Sequence, residues 1–313
     1  MSESLMSTRI LAFDFDLCVC DGEGFFELFL QLLDIYEYTR RSITDKGKGY
    51  LPERFVDAVE KAYKSLAIDV ASAVEKGECF LYRPGIENVF HAAQRMKKLG
   101  HIHYIMFYSN NSCPEFLSFV ELVIRLANRK MGFSPSKPVV ELVFTANTAS
   151  RMRVEYAPAN APNARHKTRL GILTCLDDLD LPFNKDQTEI LFFDDMKHAD
   201  LGSSLKIVPA YHALHTGKQI GDVFYRCLER AGLFKDGVLL EEWANLNLHN
   251  SLMKQPFSAF RDWLDKKDLP ARSDEGKIKK EEAICQLMVN EIHTFCGFQD
   301  FDKKKSRKRR GKY

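Results

Sequence analysis

A short apolar run, Ile10-Leu11-Ala12-Phe13, stops abruptly at two carboxylates one residue apart, Asp14 and Asp16. Such a run reads as a buried strand. In an open α/β sheet, ligands are met beyond the carboxyl ends of the strands. Oxygen donors at that rim suit a hard cation. A second run, Ile190-Leu191-Phe192-Phe193, ends in Asp194-Asp195. Two strands that bring carboxylates to one rim constrain the chain more than either does alone.

Strand-like runs at about 9–13, 102–108, 139–145, 190–193 and 205–211 alternate with stretches of helical periodicity. This predicts a Rossmann-like α/β fold: a five-stranded parallel sheet with right-handed crossovers and helices on both faces. Residues 1–21 and 79–235 form the expected core. Between them, 22–78 reads as a helical insertion, with the Phe25 to Tyr36 stripe, a polar break from Thr44 to Pro52, and a second helix over about 53–76. The stripe is expected to pack into a core. Residues 147–166 read as a long loop, and a helix is expected to open near Lys167. Beyond the core, 236–300 reads as a helical extension, with a charged linker over about 267–282 and a last short helix at 283–295.

Charge is distributed unevenly along the 313 residues. Residues 303–313 hold eight Lys and Arg and no acid, so the remainder carries 37 Lys and Arg against 43 Asp and Glu. The tail, 301–313, is dense enough for a nuclear-localisation or nucleic-acid-contacting patch, or for a solubilising tail. None of the eight cysteines forms a C-x-x-C pair, which favours reduced thiols in an intracellular compartment, cytoplasmic or nuclear. No signal peptide is evident, and no run approaches the roughly 18 apolar residues that span a bilayer. No membrane partner is expected.

In chain order, Asp14-x-Asp16, Ser109, Lys167 and Asp194-Asp195 sit at strand ends or helix starts. This ordered set resembles the haloacid dehalogenase (HAD) superfamily over roughly 8–216, apart from the insertion. Tyr82-Arg83-Pro84-Gly85 before a helix, and Phe192-Phe193-Asp194-Asp195-Met196, are closest to its magnesium-dependent phosphatase and C-terminal-domain-phosphatase-like branches. The resemblance implies Asp14 as nucleophile, forming an aspartyl phosphate, and Asp16 as general acid and base. It implies Mg²⁺ held by Asp14, the main chain of Asp16, Asp194 and Asp195. Ser109, with Asn110 as its nearest substitute, and Lys167 would hold the phosphoryl group. Arg151, Arg153 or Arg165 could supply the charge in place of Lys167. Cys18 departs from the Thr or Val usual at its position.

Other acids and nucleophiles have plainer expectations. Asp177, Asp178 and Asp180 read as solvated turn acids, Asp200 as a turn cap, and His198 as solvent-facing or structural. Cys18 and Cys20 are expected to be buried rather than oxidation-sensitive. In the family resembled, insertions such as 22–78 often serve as caps. A closed cap would favour a small metabolite, and one packed aside a phosphoprotein or nucleic-acid end. The expected function is therefore magnesium-dependent phosphomonoester hydrolysis, with a phosphoprotein favoured. A nucleotide or polynucleotide-end phosphatase, and a non-catalytic nucleic-acid-binding or assembly protein, are the alternatives.

Overall fold

The computed structural model describes residues 7–22, 25–44, 51–156, 165–212, 214, 217–233 and 275–298. Five strands, β1 (Arg9–Phe13), β2 (Tyr104–Tyr108), β3 (Leu142–Phe144), β4 (Glu189–Asp194) and β5 (Leu205–Ile207), pair in the order β3-β2-β1-β4-β5. Every pairing is parallel. The chain runs outward from β1 on one side and returns to β4 on the other. Connections therefore diverge at the carboxyl ends of β1 and β4, where such sheets open a crevice.

Strand alternation sorts residues onto two faces. Leu11, Phe13, Ile105, Phe107, Leu191 and Phe193 enter one apolar core; Ile10, Ala12, Met106, Tyr108, Ile190 and Phe192 enter the other. The first core is closed by α1 (Phe25–Thr44), α2 (Glu53–Glu75), α3 (Ile86–Lys98), α4 (Pro114–Ala127), α7 (Gly217–Ala231) and α8 (Glu275–Phe295). The second is smaller and lies under α6 (Arg169–Asp178), with the short α5 (Ala149–Val154) beside it. Among the described residues no helix is long and apolar enough to cross a membrane.

β3 and β5 are shorter than their apolar runs suggest. Val139 and Val140 are buried, but the Val139 N–H donates to Glu121 Oε1 (2.7 Å) instead of to a strand. Pro209 has no N–H with which to extend β5. The stretch 147–166 is not wholly a loop, because α5 forms within it. The linker expected over 267–282 is helical from Glu275 onward. Its buried positions, Glu281, Ile284, Cys285, Met288 and Ile292, keep helical spacing and pack α8 on α3. Gly85 allows that approach: at φ +90° it caps α3, and a Cβ there would lie 3.1 Å from Cys285 Cβ and from Glu282 Cα. Residues 236–274 of the expected helical extension and the basic stretch 303–312 lie outside the described residues.

The insertion shares the main core. α2 packs against α4 and α7, and α1 joins it through Phe25, Phe29 and Leu32. Phe25, Phe26 and Phe29 all meet Phe116, the third residue of α4.

Candidate functional site

Register brings the two acidic strand ends together. Phe13 lies opposite Phe193, and the Asp14 N–H continues the ladder by donating to Phe193 O (2.8 Å). One carboxylate oxygen each from Asp14, Asp194 and Asp195 then fall within 4.8 Å of one another. Lys167, just before α6, is buried against them. Its Nζ lies 2.7 Å from Asp14 Oδ1 and 2.8 Å from Asp194 Oδ2. Three ionised carboxylates and one ammonium leave a charge of −2, and buried charge demands compensation. Hard oxygen donors with this excess fit a divalent cation of the magnesium type.

The neighbours set the protonation of this cluster. Burial raises the Asp14 carboxyl above its ordinary value, with the charge of Asp194 adding to it and Lys167 opposing. Burial also works against ionisation of Asp194, but the His198 hydrogen bond and Lys167 hold its carboxyl below the ordinary range. Lys167 is desolvated too, yet Asp14 and Asp194 raise its ammonium. Asp195, half-buried, is raised by desolvation and then by Asp14.

His198 is part of this arrangement. It is buried, with Nε2 3.1 Å from Asp194 Oδ2, and its Nδ1 accepts the Lys167 backbone N–H at 3.4 Å. Accepting at Nδ1 places the imidazole proton on Nε2, facing the carboxylate. The structural reading of His198 holds; the solvent-facing one does not.

Asp16 stands apart from the cation cluster. Ser109 Oγ donates to its Oδ2 (3.3 Å) and Asn111 Nδ2 to its Oδ1 (3.2 Å). Desolvation, followed by the charge of Asp14, pushes its carboxyl up to about 6. The next residue, Leu17, has φ +57°, a left-handed conformation that is strained for a side chain of this kind. It is held there from both directions. Leu17 N–H donates to Cys20 O (2.8 Å), and Leu17 O accepts from Tyr211 N–H (2.6 Å) and Arg83 Nη2 (3.0 Å). Arg83 is fully buried, also donates to Pro209 O, and lies 3.5 Å from Glu281 of α8.

The structure thus gathers Asp14, Asp16, Ser109, Lys167, Asp194 and Asp195 at one rim. Asn110 is turned away: its Oδ1 accepts from Arg151 Nη2 (2.8 Å) and its Nδ2 donates to Arg165 O (3.1 Å). The amide beside Asp16 belongs to Asn111, which sequence reasoning did not single out. Arg151 is fully buried behind the Ser109 turn, Arg165 holds Ala146 O and Glu155 O, and Arg153 pairs with Asp178 at the surface. None of the three replaces Lys167 beside Asp14. Asp177, Asp178, Asp180 and Asp200 are exposed, as expected. Cys18 and Cys20 are fully buried with thiols raised well above their ordinary value by desolvation, and Cys20 Sγ donates to Leu81 O (3.0 Å).

On the outer side of Asp16 lies a hollow of about 260 Å³, walled by Asp21, Phe26, Glu27, Asn111 and Phe116. Phe26 and Glu27 come from the first turn of α1, so the insertion supplies part of this wall. Comparison with family models, with curated proteins and with solved structures finds no match to this chain.

Proposed function

We propose that the chain is a magnesium-dependent phosphatase of the HAD type, hydrolysing a phosphomonoester through an aspartyl phosphate on Asp14. One observation carries this reading. A buried lysine bridges two carboxylates, while a third carboxyl, raised to about 6, stands beside a hydroxyl and an amide. Such a division separates a charge-stabilised nucleophile from an acid–base group.

Asp14 Oδ1 already accepts from Lys167 Nζ and from the Phe15 N–H (2.8 Å), which leaves Oδ2 to attack phosphorus. As the P–O ester bond breaks, the leaving oxygen takes the proton of Asp16. Water then attacks the aspartyl phosphate, Asp16 recovers a proton from it, and phosphate departs with the Asp14 carboxylate restored. Ser109 Oγ and Lys167 Nζ hold the non-bridging oxygens. Asp14, Asp194 and Asp195 would hold Mg²⁺, which when bound offsets the negative charge of phosphoryl group and nucleophile. Of the insertion, α2 packs on α4 and α7 while the first turn of α1 walls the hollow beside Asp16. This arrangement supports a macromolecular phosphomonoester such as a phosphoprotein over a fully enclosed metabolite.

The test is hydrolysis of p-nitrophenyl phosphate with and without magnesium, alongside Asp14→Asn. Magnesium-dependent turnover that the variant abolishes is the expected result. Turnover retained by Asp14→Asn, or no turnover by the wild type across several phosphomonoesters, would sink the proposal.

A further inference from the structure

The Ser109 turn follows β2 and the Lys167 turn opens α6. No ladder joins them directly, and yet both must meet the same phosphoryl group. Arg151 and Glu155 fill the space between. Both side chains are fully buried, and Arg151 Nε lies 2.8 Å from Glu155 Oε2. Burying a complete ion pair is costly, and an apolar pair often serves as well for cohesion. Here the remaining polar atoms all reach toward one turn or the other.

On one side, Arg151 Nη1 donates to Ser109 O, and Nη2 donates to Asn110 Oδ1 (2.8 Å). The guanidinium lies 4.1 Å from the centroid of the Tyr108 ring, the residue before Ser109. On the other side, Glu155 Oε1 accepts the backbone N–H of Thr168 (2.9 Å), the residue after Lys167. The same oxygen accepts the Tyr108 hydroxyl (2.5 Å), which closes the circuit. Gly171, in the first turn of α6, makes room for it. A Cβ there would lie 2.2 Å from Tyr108 Oη and 2.4 Å from Glu155 Oε1. Glycine weakens a helix relative to alanine, so its presence here answers to that closeness.

We infer that Arg151 and Glu155 are positioning residues, which fix the Ser109 and Lys167 turns at one separation so that both engage the phosphoryl group together. The inference rests on the phosphatase reading of the rim. Neither residue reaches Asp14 or Asp16; each acts through the backbone of a residue that does, or that adjoins one. The planar fork of arginine is what spans a carboxylate, a carbonyl and an amide oxygen at once, and a lysine ammonium cannot reproduce it.

Three variants of the full chain test this: Arg151→Lys, Tyr108→Phe and the double replacement Arg151→Met with Glu155→Leu. Each is measured for kcat and KM on p-nitrophenyl phosphate with magnesium, for the Kd of inorganic phosphate, and for Tm. The apolar double variant strands the Ser109 carbonyl, the Asn110 amide oxygen, the Thr168 N–H and the Tyr108 hydroxyl, so its Tm should fall. Its kcat/KM per folded molecule should fall at least about tenfold, the scale of a misplaced reacting group. Arg151→Lys should lose kcat and phosphate affinity alike. Tyr108→Phe, which removes one hydroxyl, should lose about threefold. Should the double variant fail to fold, the two single variants decide. Wild-type kinetics in Arg151→Lys and Tyr108→Phe, whatever their Tm, would make the network merely structural while leaving the phosphatase reading intact. A wild type that neither turns over nor binds phosphate would overturn both.

Discussion

The two faces of the sheet are closed by different chemistry. Among the described residues one carries six helices and a continuous apolar core in which Phe13, Phe15, Phe25, Phe29, Phe90, Phe107 and Phe116 are almost wholly buried. The other carries α6 over a much smaller apolar cluster, and beside it the Arg151–Glu155 pair under Tyr108. The thick face supplies cohesion, since each fully buried large apolar side chain contributes roughly 2–3 kcal/mol. The thin face supplies direction, because hydrogen bonds fix angles that dispersion contacts do not. Ser109 and Lys167 are tied to the directional face. Asp16, held beside them, is followed by a strained turn anchored through Arg83 on the cohesive one. Stability and alignment of the rim are therefore separable by mutation.

The largest effect should come from the centre of the rim. Lys167→Ala is expected to lower kcat/KM by roughly 10²- to 10³-fold, the scale of removing one pre-set electrostatic partner. It also takes the cluster of Asp14, Asp194 and Asp195 from −2 to −3. Magnesium should consequently raise the Tm of the variant more than that of the wild type. An equal magnesium response in both would remove the argument from excess charge. On the thick face, Phe55→Ala in α2 should cost about 3–5 kcal/mol in denaturant unfolding. Turnover per folded molecule should hardly change. A fall in kcat as steep as the fall in stability would erase the distinction between the faces.

Features that sit at strand ends were legible in the sequence. Asp14, Asp16, Ser109 and Asp194 follow apolar runs, and the run itself tells which end they occupy. Lys167 was legible from its place before a helix, although three arginines competed with it. What escaped was anything decided by a distant partner. Asn110 and Asn111 are adjacent amides, and only the turn after β2 decides which of them faces Asp16. Arg151 was legible only as a rival for the charge of Lys167, and nothing in a Pro- and Ala-rich stretch shows that it pairs with Glu155 behind the Ser109 turn. Glu281 looks like linker charge, yet it is nearly buried because Arg83, almost two hundred positions earlier, lies 3.5 Å away. A buried charge has the same letter as an exposed one.

Asp16 offers an intermediate effect of the opposite sign. Its carboxyl is raised from 3.8 to about 6, chiefly by desolvation, so the folded protein disfavours the ionised form. The cost is absent below the unfolded value, grows as pH rises through the interval and is complete above about 6. Asp16→Asn removes the ionisable group, and should stabilise the protein by about 3 kcal/mol at pH 8, by about 0.5 kcal/mol at pH 4 and by nothing below about pH 3. Turnover should fall by about 10²-fold, the lower end of what one general acid–base group supplies. In the wild type, kcat/KM on an alkyl phosphate should decline above about pH 6, as the leaving oxygen loses its proton donor. An aryl phosphate, whose leaving group needs less protonation, should decline less. Coincident profiles for the two substrates would count against Asp16 as the acid.

The smallest effect is expected two residues along the same helix from Arg151. Arg153 pairs with Asp178 at 2.6 Å, a distance comparable with the buried pair, but both partners face solvent. Water already solvates these charges, and holding two mobile side chains together offsets most of the attraction. Asp178→Asn should therefore leave Tm, kcat and KM at their wild-type values, in low salt as in high. Ser150, which donates to the same carboxylate, can donate equally to the amide oxygen. If this variant instead lowered kcat as Arg151→Lys is expected to, alignment of the rim would depend on α5 as a whole. The buried pair would then hold no special place in it.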